Sequence, residues 1–282
     1  LDAFGVIWQM LEKHALNREF SWRELAGPFR SISSEQADQF NRDGYLLLED
    51  VFDADRIKGL LAEIDPLEAE FEKFLRDHLG GQAFITRADE ITFNVHLVTR
   101  SPAARALTLD PVFRDLVSDL IGPDVRLYWD QSVYKKPGTA KPFPWHQDNG
   151  YTFVEPQQYL TCWIALTDAD EENGCPVVAP GLHRQGTLAH HITELGFECF
   201  SDPPVPAVVA PVRAGSMLIF SSLTPHMTGP NLSRDRDRKA YIVQFAAADA
   251  TVTQGAGAQQ ERVPCDAAER QYPVLVAGAE PD

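Results

Sequence analysis

The sequence predicts a mainly β protein with helical additions, on the strength of three observations. From about residue 125 the apolar residues fall in short runs punctuated by Gly, Pro, Asn and Asp, the pattern of strands and turns. No helical pattern separates those runs, which suits a β-sandwich or barrel better than a parallel α/β sheet. Over the first 120 or so residues, apolar positions recur instead at helical spacing. The 282 residues allow one large β domain or two small ones, and 44% hydrophobic side chains suffice for a sizeable core without disulfide staples.

Each element follows from local pattern. Phe4, Ile7, Trp8 and Leu11 are spaced as one face of a short amphipathic helix, with a connection containing Pro28 behind it. Ser33-Ser34-Glu35-Gln36 carries capping residues and opens a helix that runs to about Arg42 and stops at Gly44. Residues 45–49 read as a strand. Residues 53–79 are helical in pattern, but Pro66 should break or kink them. A helix is expected over 102–120, ending at Gly122. The strand-like runs are 125–135, 159–166, 176–179, 205–212, 216–220 and 239–247. The tail from Thr251 is rich in Ala, Gly and Gln and weakly patterned, so loose order is expected there.

Charge and cysteines exclude some functions. The formal charge is −16, from 25 basic and 41 acidic side chains, and a negative field repels phosphate backbones. The densest basic run, from Arg234 to Lys239, is interrupted by Asp235 and Asp237. Nucleic-acid binding is therefore disfavoured, and a highly anionic substrate is weakly so. Cys162, Cys175, Cys199 and Cys265 match no zinc-knuckle or C-x-x-C spacing, so reduced thiols in the cytoplasm are expected. No apolar stretch is long enough to span a membrane. The opening Leu1-Asp2-Ala3-Phe4 does not resemble a signal peptide.

Most of the eight histidines need no special role. His14 and His78 lie in polar helical contexts and read as surface residues. The adjacent His190 and His191 point apart on an extended chain, which argues against a shared metal. His146 differs because Asp148 stands two residues on. Residues two apart on an extended segment face one side, so an imidazole and a carboxylate can bind one metal together. His226, after the strand-like 216–220, is the candidate third ligand. Two histidines and one carboxylate leave three metal positions open, as in non-haem iron oxygenases.

The surrounding text makes the pattern specific. Lys135-Lys136-Pro137-Gly138 followed by Pro144-Trp145-His146-Gln147-Asp148 resembles the phytanoyl-CoA dioxygenase family. So does the run from Trp163 to Ala169, with Glu172-Asn173-Gly174-Cys175 and Pro180-Gly181-Leu182-His183-Arg184 behind it. So do the run from His226 to Ser233 and the opening segment from Asp38 to Phe52. The likeness covers roughly residues 33 to 248.

The resemblance implies a double-stranded β-helix, a jelly-roll of cupin-like architecture. It implies Fe(II) held by His146, Asp148 and His226, with 2-oxoglutarate as co-substrate and dioxygen as oxidant. The expected organisation is a single domain over 1–282. A mostly helical part, 1–122, packs on a metal-binding jelly-roll core, 123–250, and the tail is 251–282. A basic residue past the distal histidine should pair with the far carboxylate of 2-oxoglutarate, where an arginine offers two parallel hydrogen bonds. Arg234, Arg236 and Arg238 compete. The family's usual position falls on Asp237 here, which implies a one-residue insertion. Arg238 opens the final strand as the family's arginine does and is the choice, with Arg236 as runner-up. Thr228 matches a family hydroxyl on the same carboxylate, and Gln131 and Trp163 match positions lining the co-substrate pocket. Trp163 could equally be core, and Thr228 a turn residue. Gln147 and Asn149 are candidates to orient the ligands. His183 is expected at the pocket rim at most.

The reaction implied is hydroxylation of an unactivated C–H bond of a small-molecule metabolite, with release of succinate and CO2. A halogenase needs the ligand position that Asp148 fills. Desaturation, epoxidation or ring formation would use the same iron centre, and a catalytically silent cupin-like binding protein is the rival from another class. Tyr151, Phe153 and Tyr159, with Asn94 and His96, are candidate substrate-pocket residues.

Overall fold

A computed structural model describes residues 11–255 and 257–281. Phe4, Ile7 and Trp8, and with them most of the first expected helix, lie outside the described residues. The helices begin and end where capping chemistry dictates. In α1 (Ser34–Asp43), the Ser33 hydroxyl accepts from the Gln36 amide while the Gln36 side chain accepts from the Ser33 amide. Gly44 ends the helix at φ 81°, and a Cβ there would lie 2.5 Å from the His183 ring. After β1 (Tyr45–Leu48), α2 (Ala54–Leu79) runs for 26 residues through Pro66 without a break. Pro66 removes one backbone hydrogen bond, but Ile57, Leu60, Ile64 and Leu75 bury a continuous stripe that holds the helix together.

A short hairpin of β2 (Gln82–Ala83) and β3 (Thr86–Arg87) leads to β4 (Ile91–Val95). The helix expected over 102–120 is two helices, α3 (Pro102–Thr108) and α4 (Pro111–Leu120). The break is chemical: the Asp110 carboxylate caps the Val112 amide at 3.1 Å, and Pro111 takes the first helical position.

The β region follows with β5 (Val125–Lys135), β6 (Phe143–His146), the one-turn α5 (Asp148–Tyr151), β7 (Val154–Glu155), β8 (Leu160–Ala165) and β9 (Pro176–Val178). Next come β10 (His191–Thr193), β11 (Gly196–Glu198), β12 (Val208–Val209), β13 (Met217–Ser221), β14 (His226–Thr228) and β15 (Arg238–Ala247). The strand expected over 205–212 shrinks to β12 because Pro206 and Pro211, which cannot donate to a ladder, flank it. The tail is ordered, contrary to expectation. It contains β16 (Thr251–Gln254), β17 (Glu261–Pro264) and β18 (Pro273–Leu275), and β18 pairs with β5 while burying Val274 and Leu275.

The strands form a large antiparallel sheet in the order β1-β13-β8-β15-β5-β4-β3-β2, with β18 also on β5, and a smaller one in the order β12-β9-β14-β6. This is a jelly-roll. Alternation decides which side chains enter it. On β8, Cys162 and Ile164 join the core against the helices, while Trp163 and Ala165 face the smaller sheet. On β15, Tyr241, Val243 and Phe245 face the helices and Ala240 and Ile242 face inward. Among the described residues, no helix is long and apolar enough to cross a membrane.

Candidate active site

The register of the smaller sheet builds a candidate metal centre. β6 and β14 pair so that His146 stands opposite His226. Gln147 keeps an extended backbone, φ −107° and ψ 142°, so Asp148 returns to the same side as His146 before α5 begins. The Nε2 atoms of His146 and His226 each lie 3.8 Å from Asp148 Oδ1. All three donor atoms lie within 4.8 Å of one another.

Hydrogen bonds fix the ligand geometry. His146 Nδ1 donates to the Pro144 carbonyl at 2.9 Å and His226 Nδ1 to the Thr224 carbonyl at 3.1 Å. Each bond selects the tautomer that leaves a lone pair on Nε2. The Thr161 hydroxyl donates to Asp148 Oδ2, and Gln244 donates to Thr161 at 3.3 Å. Burial lowers His146 to about 3, helped by His226, and lowers His226 to about 4. Burial also raises Asp148. Neutral imidazoles beside a carboxylate stripped of water are donors that a divalent cation satisfies, so the residues present fit the metal.

Gln147 and Asn149 do not orient the ligands. Gln147 binds the Gly186 and Leu223 carbonyls and the Leu188 amide, and Asn149 binds Thr187 and Val154. Both fasten the surrounding loops.

A cavity beside the triad is lined by Gln131, Trp163, Thr228 and Arg238 together with His146, Asp148 and His226. Arg238 is 0% exposed. It shares the inward parity of Ala240 and Ile242. One guanidinium nitrogen donates to the Val133 carbonyl at 3.3 Å, while Nε and Nη2 lack a partner. Its carbon lies 5.5 Å from the centre of the Trp163 ring. Opposite Arg238 in the β5–β15 ladder stands Lys135, 1% exposed. Its ammonium donates to the Thr228 hydroxyl at 3.1 Å and the Gly229 carbonyl at 2.6 Å.

Burial lowers Arg238 to about 10, and burial with the neighbouring Arg238 pulls Lys135 well below its usual value. A buried guanidinium with no carboxylate beside it among the described residues forms a site for an anion, and the Lys135 amine, held on Thr228 and Gly229, stands next to it. Arg236 instead grips Asp170 at 2.6 Å and Glu172 at 2.6 Å near the surface, and Arg234 is exposed. The sequence reading passed over Lys135 as a site residue. Its signal was parity: it stands four residues after Gln131 on one strand face.

A second cavity of about 450 Å³ opens beyond the triad, sharing His146 and Asp148 with the first. Tyr151 and Tyr159 line it as expected, but Phe153 stacks on the half-buried His14, 4.8 Å between ring centres. Asn94 and His96 do not line it. Asn94 turns to the Leu67 carbonyl on α2 and to Arg100, and His96 packs on Trp129 and contacts Arg270. Their neighbours Phe93 and Val95 line it instead. His183 is fully buried against Trp22 and hydrogen-bonds the Asn41 carbonyl, so its role is core packing and not the rim.

The family model described as phytanoyl-CoA dioxygenase matches residues 40–240, a span that includes all three triad residues and Arg238. The phytanoyl-CoA dioxygenase of Arabidopsis thaliana is 26% identical over 257 residues, covering 78% of this chain and 90% of that protein. An ectoine dioxygenase of Bordetella parapertussis is 31% identical over 169 residues, covering 55% of this chain and 51% of that protein. Among solved structures, a non-haem α-ketoglutarate-dependent carbocyclase from nogalamycin biosynthesis is 28% identical, with a TM-score of 0.66 over 83% of this chain and 91% of that one.

Proposed function

The chain belongs to the phytanoyl-CoA dioxygenase family and is an Fe(II)- and 2-oxoglutarate-dependent dioxygenase, and on that premise we propose how its own residues divide the work. His146, Asp148 and His226 hold the iron. Arg238 takes the far carboxylate of 2-oxoglutarate, with Thr228 and Lys135 beside it and Trp163 and Gln131 as walls. The reaction is hydroxylation of an unactivated C–H bond of a small molecule held in the outer cavity. The observation that carries this reading is Arg238, buried on the same cavity as the triad with Nε and Nη2 unpartnered among the described residues.

Iron(II) with 2-oxoglutarate and dioxygen supplies the oxidising power, and succinate and CO2 are released. The protein supplies geometry. Three donors on one side would hold the iron and leave its other side to the keto acid and dioxygen. The guanidinium fixes the dicarboxylate by its far end, and the aromatic walls keep water from the reacting C–H bond. Asp148 occupies the position that a halide would need. Ring formation is the second reading, favoured by the carbocyclase likeness, since it asks for the same centre with a differently placed substrate.

The test begins without substrate. Adding 2-oxoglutarate to the Fe(II) protein in the absence of oxygen should produce a visible charge-transfer absorption. Admitting oxygen should then release succinate. Wild-type-like succinate release from His226→Ala would remove the assignment of the iron ligands.

A further inference from the structure

We propose that the outer cavity takes an uncharged, ring-bearing small molecule and that Phe84 closes over it; this rests on the reading of the site given above. The cavity of about 450 Å³ is of the size that holds drug-sized ligands. Its walls are aromatic. Tyr151 and Phe197 meet edge to face at 5.0 Å and 86°, and Tyr128 and Tyr159 meet at 5.2 Å and 65°. Tyr151 meets the ligand His146 in the same way, at 5.3 Å and 84°. These arrangements leave ring faces and edges to receive another ring.

The polar groups of the cavity are mostly neutral. Thr152, Gln131 and Gln244 offer hydroxyl and amide contacts, and no lysine or arginine among the described residues lines it. Its one carboxylate, Asp148, is committed to the metal. Two basic side chains on the elements of the mouth turn to Glu194 and lie outside the lining, although Arg87 Nη1 is buried without a partner among the described residues. Arg87, next to Thr86, donates to the Glu194 carbonyl at 2.7 Å, and Lys141 pairs with the Glu194 carboxylate at 2.9 Å. A phosphate or a coenzyme A thioester would find no cation on the described walls, and a cationic substrate would find no carboxylate there besides Asp148. What remains is a neutral molecule with rings for the walls and a hydroxyl or carbonyl for the amides.

Phe84 is the residue out of place. It occupies the two-residue connection of the β2–β3 hairpin, where Ala83 pairs with Thr86. Its φ is +47° and it is 62% exposed. Turn chemistry favours Gly or Asn at a positive φ, and a bulky ring there is both strained and wet. The ring lies 6.0 Å from Phe197 and 6.5 Å from Tyr151, over the cavity. A ring-bearing substrate would bury it and complete the aromatic wall.

The experiment uses the Fe(II) protein with 2-oxoglutarate, without oxygen, and two probes sharing one ring system, 2-naphthol and 2-naphthyl phosphate. Calorimetry should show 2-naphthol binding at least about tenfold more tightly, since the phosphate must enter an unpaired site. Phe84→Asn removes the ring yet suits the turn, so misfolding does not explain a loss. It should weaken 2-naphthol by about three- to tenfold, the equivalent of one aromatic pair. Phe84→Tyr should restore wild-type binding. Equal or tighter binding of the phosphate, or no binding of 2-naphthol, overturns the substrate class. Unchanged 2-naphthol affinity in Phe84→Asn overturns the role of Phe84. Absence of a 2-oxoglutarate-induced absorption in wild type would defeat the reading of the metal site instead, whatever the probes do.

Discussion

Arg236 and Arg238 are two residues apart and chemically identical, yet one is a surface ion-pair partner and the other a buried, half-satisfied cation. The start of the strand makes the difference: Arg236 lies in the loop before β15, whereas Arg238 opens β15 and faces inward with Ala240 and Ile242. Arg238→Ala should raise the half-saturating 2-oxoglutarate concentration by about ten- to a hundredfold, as loss of a hydrogen-bonded charge implies. Arg236→Ala should leave it unchanged, and the reverse result in a 2-oxoglutarate titration would exchange their roles. The triad makes a second prediction. Metal binds deprotonated ligands, so affinity is full above the folded pKa values and is lost as pH falls through them. With His146 near 3 and His226 near 4, neither imidazole takes up a proton in mildly acidic solution, and Asp148, which burial raises, is the one remaining group of the triad that can. Manganese(II) affinity measured from about pH 7.5 to about pH 5.5 should fall by at most about tenfold per pH unit, one proton's worth. A two-proton slope would show ordinary, exposed imidazoles. The H-x-D pair with a distant histidine was legible in the sequence because spacing and neighbouring motifs both mark it. Thr161 was not, since a strand threonine carries no sign of which face it takes until its partners are known, and Lys135 was marked only by its parity with Gln131.

At the scale of elements, local chemistry was legible wherever it acts within a few residues. Ser33 with Gln36, Gly44 and Asp53 end helices as their side chains and φ values dictate. Two misreadings come from weighing one residue against a long pattern. Pro66 looked decisive, and the buried stripe of α2 outweighs it. Asp110-Pro111 looked incidental, and it starts a new helix. The tail was misread for another reason: three-residue β18 shows no period of its own and is specified by its contact with β5. Pro66 supports a direct test. Restoring the backbone N–H with Pro66→Ala recovers a helix bond worth part of the ~3 kcal/mol interior cost of proline. The gain is offset by ~0.4–1 kcal/mol from a looser unfolded chain. A net stabilisation of about 1–2 kcal/mol should appear as a higher urea midpoint with an unchanged slope. A lower midpoint would mean that α2 needs the proline for its shape.

For the molecule as a whole, the two sheets bring together residues that the sequence scatters: a triad from the small sheet and the loop after it, and a cation pair from the large one. Arg238 is a burden until an anion arrives, because burial strips its guanidinium of water and leaves Nε and Nη2 without partners among the described residues. Binding of 2-oxoglutarate should therefore stabilise the fold, by about 2.7 kcal/mol at a hundred times the dissociation constant. For a chain of this size that is a rise of several degrees in Tm. The rise should be much smaller in Arg238→Ala, and a thermal-shift series that shows equal rises in both proteins would place the anion elsewhere. Marginal changes of this size set how much of a protein quality control removes. The buried Arg238 would thus link survival to nutrition: were the keto acid to run short, the chain would spend more time open to proteases, and its abundance would fall with the pool on which it feeds.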